Sequence, residues 1–123
     1  MKLLIAGTRR QTHVSEIEKL IDDLAFFDSD AAPLSQRTLE IVSGGAFGVD
    51  KAAEQWANQR MIKTKIFLPD YEKHGAKAPL LRNIEMAKYA AAALILWDGE
   101  SKGTRHMIEQ MKKQGKPCLI KIT

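Results

Sequence analysis

Four short stretches concentrate the residues able to hold an anion. "AGTRR" brings Gly7, Thr8, Arg9 and Arg10 together. "VSGGAFGVD" carries Ser43, Gly44, Gly45, Gly48 and Asp50. "KHGAKAPLLRN" carries His74, Gly75, Lys77, Arg82 and Asn83, and "WDGESKGTRHM" carries Asp98, Gly99, Ser101, Gly103 and Thr104. Bare peptide N–H groups, a hydroxyl and guanidinium groups are the chemistry of phosphate capture. A glycine lets a ligand reach the main chain, a helix N-terminus offers unpaired donors, and arginine grips phosphate with two parallel hydrogen bonds.

Each stretch also has a plainer reading. The glycines after "IVS" either admit a phosphate or satisfy positive φ in a tight turn. Their spacing is not the GxxxxGK[ST] of a Walker A loop, nor the GxGxxG of a dinucleotide fingerprint. Ser101 or Thr104 either contacts a ligand or caps the following helix. Asp50 either accepts from ribose hydroxyls or complements a helix dipole. Arg82 either clamps phosphate or is a solvated surface residue, with Asn83 beside it. Trp56 reads as core, and Trp97 as core or a surface on which a base stacks. His13, His74 and His106 lack metal-ligand spacing, so no metal and no cofactor is expected, and no nucleophile elbow or triad pattern is present.

These stretches follow apolar runs. "KLLIA" (2–6), "LEIVS" (39–43), "IKTKIFL" (62–68), "AAALILW" (91–97) and "PCLIKI" (117–122) read as strands. Helices are predicted between them. The first starts at a Ser15/Glu18 capping box, with Ile17, Leu20, Ile21, Leu24 and Phe27 facing inward. The second runs over 47–60 with Val49, Ala52, Ala53, Trp56 and Ala57 inward. The third runs from Pro79 to about Lys88, and the fourth over 103–114 with Gly115 just beyond. Residues 28–37 and 69–78 read as loop and irregular segment. The β-α alternation predicts an α/β fold: one Rossmann-like, doubly wound parallel sheet of five strands with helices on both faces. In such sheets ligands bind beyond the carboxyl ends of the strands, near the switch point, which is where all four stretches fall.

The 123 residues suit one domain. The formal charge is +4 and the isoelectric point about 9.3. The basic residues are dispersed, without an arginine-rich arm, so a nucleotide-sized anion is expected and a nucleic acid ranks last. No apolar run reaches the roughly 20 residues of a membrane span, and the N-terminus is no signal peptide. One cysteine, Cys118, fits a buried thiol in a reducing, cytoplasmic compartment.

Taken together, "AGTRR", "VSGGAFGVDKAAEQWA", "KAPLLRNIEMA" and "LWDGESKGTRHMI" resemble the small YspA-like members of the SLOG superfamily, which is related to LONELY GUY nucleoside-phosphate hydrolases and to the DNA-processing protein A fold. The resemblance spans nearly the whole chain and implies a single nucleotide-binding domain over 1–123. It implies a nucleotide or ADP-ribose-like ligand. Gly7, Thr8 and Arg9 would touch one end of it and Gly44, Gly45 and Gly48 its phosphate. Arg82 would neutralise charge, and Gly103 with Thr104 would complete the cradle. A homodimer is implied as well. "RNIEM" keeps Arg82 where the LONELY GUY enzymes carry a catalytic arginine, but Met107 stands where their glutamate would be. Methionine cannot stabilise an oxocarbenium-like cation, and losing such a group costs about 3–4 kcal/mol of barrier. A binding or sensing domain is therefore expected first. A nucleoside-phosphate N-glycosidase with a relocated carboxylate (Asp50, Asp98 or Glu100) comes second and single-stranded DNA binding third.

Overall fold

A computed structural model of the chain describes residues 1–10, 12–27 and 39–123. Along the chain run β1 (Lys2–Gly7), α1 (Val14–Phe27), β2 (Glu40–Ser43), α2 (Val49–Gln59), β3 (Lys63–Ile66), α3 (Tyr71–His74), α4 (Ala78–Tyr89), β4 (Ala92–Trp97), α5 (Lys102–Lys113) and β5 (Cys118–Ile122), with a 3-10 turn over Gly75–Lys77. All strand pairs are parallel. The strand order is β3-β2-β1-β4-β5. The winding therefore reverses between β1 and β4, where Ala6 pairs with Ile95 and Gly7 with Leu96.

Period-2 alternation sorts the apolar side chains onto two faces. Leu3, Ile5, Ile41, Leu94 and Leu96 pack on α1 and α2. Leu4, Ala6, Val42, Ala93 and Ile95 pack on α4 and α5. Both faces are covered, as a parallel sheet requires. The inward stripe expected on α2 is buried throughout: Val49, Ala52, Ala53, Trp56 and Ala57.

Three local expectations change. Helix α1 starts at Val14, so Ser15 lies inside it. The carboxylate that closes back is Glu16, which accepts from the His13 N–H at 3.0 Å; that bond holds the Glu16 carboxyl below its ordinary pKa. Glu18 instead meets Arg60, just past the end of α2. Residues 69–78 are not irregular throughout: Asp70 caps α3 by accepting from the Lys73 N–H at 3.1 Å. The loop expected at 28–37 and the side chains of Leu24 and Phe27 lie outside the described residues. Cys118 is half-buried, and burial pushes its thiol pKa up.

Candidate functional site

Beyond the carboxyl ends of β1 and β4 lies an open cleft of about 530 Å³, mouth included. It sits at the reversal of winding, the place where a parallel sheet leaves room between outgoing loops. Gly7 borders it from β1 and Arg9 from the loop after it, Asp50 from α2, Arg82 and Asn83 from α4, and Gly103 and Thr104 from α5. The structure thus gathers seven of the expected site residues around one space.

The glycine loop after β2 is built on its own protein. A Cβ at Gly44 would lie 2.7 Å from Arg82 Nη1 and 2.9 Å from Asp50 Oδ2. At Gly48, with φ +94°, it would lie 2.5 Å from the Arg10 carbonyl and 2.6 Å from that of Thr8. At Gly45, with φ +73°, it would strike Leu68 Cδ2 at 2.7 Å. Two of the loop's donors are also engaged: the Gly45 N–H donates to Ser43 Oγ at 3.1 Å and the Ala46 N–H to Asp50 Oδ2 at 3.2 Å. Ser43 is fully buried and donates to Glu54 Oε2 at 2.7 Å, bracing the loop from below.

Asp50 and Arg82 flank Gly44 at the cleft wall. Asp50 is only 6% exposed. Burial pushes its pKa up to about 6, against the pull of the Ala46 N–H and the Arg82 charge. Arg82, 9% exposed, donates from Nη1 to the Gly44 carbonyl at 2.6 Å and from Nε to Asn83 Oδ1 at 3.1 Å. Burial depresses its pKa; Asp50 opposes that, and the like charge of Arg9 adds to it. Two guanidinium groups that feel each other beside a cleft favour an anion there. Asn83 then ties α4 to α5: its Nδ2 donates to the Gly103 carbonyl at 3.3 Å and to His106 Nδ1 at 3.1 Å. Burial lowers the His106 pKa.

The loop after β4 is different. Helix α5 opens with Ser101 as N-cap and no side-chain cap on its first amides. Ser101 Oγ lies 3.2 Å from Thr104 Oγ1. Nothing lies within 4 Å of a Cβ built at Gly103. Gly103 and Thr104 both line the cleft, Gly103 with open space beside it and Thr104 buried with its hydroxyl next to Ser101 Oγ, at the positive end of the α5 dipole.

Other expected residues have placements of their own. Thr8 is buried, its N–H donating to the Leu96 carbonyl at 3.1 Å, and its Oγ1 has no partner among the described residues. Lys77 is exposed in the 3-10 turn, outside the cleft wall. Asp98 is outside it too: Oδ1 accepts from the Glu100 and Ser101 N–H groups at 2.8 Å each, which lowers its pKa and braces the loop. Trp97 donates its indole N–H to the Ser101 carbonyl at 3.1 Å, and Arg105 lies over its ring. Met107 does line the cleft. Sequence reasoning passed over Ala46, Pro79, Leu80 and Met86, which also line it. A signal existed: 79, 82, 83 and 86 are i, i+3, i+4 and i+7, one helical face. Among the described residues no cluster of acidic, histidine or cysteine side chains is arranged to hold a metal, and no helix is long and apolar enough to cross a membrane.

A family model described as YspA, cpYpsA-related SLOG family matches residues 1–74. The Gene 61 protein of Mycobacterium phage D29 is 38% identical over 87 residues, covering 66% of this chain and 70% of that protein. The X-ray structure of DNA processing protein A (DprA) from Streptococcus pneumoniae superposes with a TM-score of 0.72 at 20% identity. That match covers 97% of this chain but 49% of the other, so the chain spans about half its length and shares its fold.

Proposed function

The chain belongs to the YspA, cpYpsA-related SLOG family, and from that premise we propose that its cleft binds a nucleotide or nucleotide-derived phosphate, with the phosphate on α5. The observation that carries this reading is the start of α5, which its N-cap Ser101 leaves without a side-chain cap and where Gly103 and Thr104 border the same cleft as Arg9 and Arg82. A helix N-terminus, a hydroxyl and two cations from three segments border a space suited to a small anion. Asp50, ionised above about pH 6, supplies an acceptor for a ribose hydroxyl across the cleft. A thermal-shift panel of nucleoside mono- and diphosphates and ADP-ribose tests it. A ligand at 100 times its Kd adds about 2.7 kcal/mol of stability; a panel without any shift rejects the reading. A strand of DNA belongs in the same panel, because the fold is shared with a protein named for DNA processing. Steep salt dependence would mark that ligand.

One observation favours a second reading, hydrolysis of the N-glycosidic bond. Met107 leaves its place in the wall without charge, but Asp50 brings a carboxyl with a raised pKa to the same cleft. Such a group can exchange a proton near neutral pH. Incubation with nucleoside monophosphates and chromatography for free base decides it: base above the blank supports turnover, and its absence leaves a binding domain.

A further inference from the structure

Asn83 joins two walls of the cleft, and its side-chain amide can point only one way. Arg82 Nε is a donor and nothing else, so the Asn83 oxygen faces it, at 3.1 Å. The Gly103 carbonyl only accepts, so the Asn83 nitrogen faces it, at 3.3 Å. That nitrogen has one more hydrogen to give, and His106 Nδ1 lies 3.1 Å away. Nδ1 must therefore be the bare nitrogen of the neutral ring. The ring proton then sits on Nε2, 3.3 Å from the Gln110 side-chain amide, which can present its oxygen. Two groups that border the cleft thus dictate the tautomer of a histidine that is half-buried and outside the cleft wall.

Resting on the phosphate reading above, we infer that His106 is a positioning residue of this cleft: by accepting from Asn83 it fixes the amide that holds Arg82 on one side and the start of α5 on the other. Arg82 shows what is being held. Its Nε is bonded to Asn83, and its Nη1 lies 2.6 Å from the Gly44 carbonyl and 3.4 Å from that of Phe67. Nη2, with two hydrogens and no partner among the described residues, is the donor left for an anion. A protonated ring would carry a hydrogen on Nδ1 as well, opposed to the Asn83 nitrogen. The amide cannot turn over to meet it, because its oxygen would then face the Gly103 carbonyl and its nitrogen Arg82 Nε. The repulsion falls on the bonds to Arg82 and Gly103. Burial lowers the His106 pKa, with Glu109 opposing and Lys113 assisting from the same helix. The group that faces the ring from α4, Asn83, is uncharged. The chain of bonds is therefore intact at neutral pH and breaks in acid.

A ligand-free titration and two variants test it. In the wild-type protein, nitrogen-15 NMR should show the Asn83 side-chain NH2 signals moving in step with the His106 ring between about pH 8 and pH 5. His106→Asn keeps an acceptor near the place of Nδ1 but cannot titrate, so that step should vanish. Asp50→Asn removes the other group that titrates near the cleft, and the step should remain. At about pH 7.5, calorimetry should show ribose 5-phosphate binding about tenfold weaker in His106→Ala and within about threefold of wild type in His106→Asn. Equal losses in the two variants, or none in the alanine variant, overturn the positioning role. So do Asn83 signals that ignore the ring. Should the alanine variant not fold, the asparagine variant and the titration decide. Wild-type protein that binds no ribose 5-phosphate sinks the phosphate reading, and the positioning role with it.

Discussion

Two loops of this protein leave parallel strands, carry glycines and open helices, yet they are built for opposite ends. After β2, the faces that side chains would occupy at Gly44, Gly45 and Gly48 are filled by Arg82, Asp50, Leu68 and the carbonyls of Thr8 and Arg10. The amides of Gly45 and Ala46 are bonded to Ser43 and Asp50. After β4, a Cβ at Gly99 or Gly103 would meet nothing within 4 Å, and the α5 amides have no side-chain cap. The loop richer in glycine is a joint in which α2, α4 and the β1 loop close on one another. The sparser loop faces the cleft. Glycine content alone does not distinguish a bare backbone offered to a ligand from one that the protein itself needs.

Substitutions can break or sharpen this contrast. The largest effect is expected at the packed positions. Gly48→Ala adds a methyl group 2.5 Å from a backbone carbonyl at positive φ, and Gly7→Ala places one 2.2 Å from the Leu96 carbonyl. Backbone does not yield as a side-chain tip does, so each should cost about 3 kcal/mol or more in urea denaturation. Values under about 1 kcal/mol would show the β2 loop to be looser than its contacts suggest.

Next comes Asp50→Asn. In the folded chain the Asp50 pKa stands at about 6, against an ordinary value of 3.8. A raised carboxyl contributes its stability below the unfolded value and loses it as pH rises through the folded one. Asparagine escapes that loss, and its amide oxygen can still accept from the Ala46 N–H. The stability of the variant relative to wild type should therefore rise by about 2 kcal/mol between pH 4 and pH 8. The same variant should bind nucleotides more weakly. A flat difference across that pH range would place Asp50 in contact with water.

The smallest change in stability belongs to Gly103→Ala. Its methyl group has open space and alanine favours helix, so folding should gain up to about 1 kcal/mol. Affinity for ribose 5-phosphate should nonetheless fall about tenfold, because the group crowds an anion at the helix N-terminus. Unchanged affinity would move the phosphate away from α5.

Much of the fold was legible in the chain because apolar runs and helical stripes alternate without ambiguity; "AAALILW" is apolar throughout because β4 is covered on both faces. The start of α1 was less legible, since Glu16 and Glu18 both offer a carboxylate in the first turns, and only the backbone shows which one reaches back to His13. Within the site, the converging strand ends were readable, as were Arg82 and Asn83. The occupant of each glycine's open face was not, because a sequence records the missing Cβ and never the atom that takes its place. Asp98 and Trp97 looked available for a ligand and are engaged with the amides and carbonyl of their own loop. Pro79 reads only as a helix start and Met86 as core packing, although both share a helical face with Arg82 and Asn83.

The central claim is that α5, and not the glycine-rich loop, receives the phosphate. Titration of ribose 5-phosphate into the nitrogen-15-labelled protein, followed amide by amide in NMR spectra, tests it most directly. The account predicts saturable shifts largest at Gly103 and Thr104, with those of Gly44, Gly45 and Gly48 small. Largest shifts at Gly44, Gly45 and Gly48, or none at any of these amides, would contradict it.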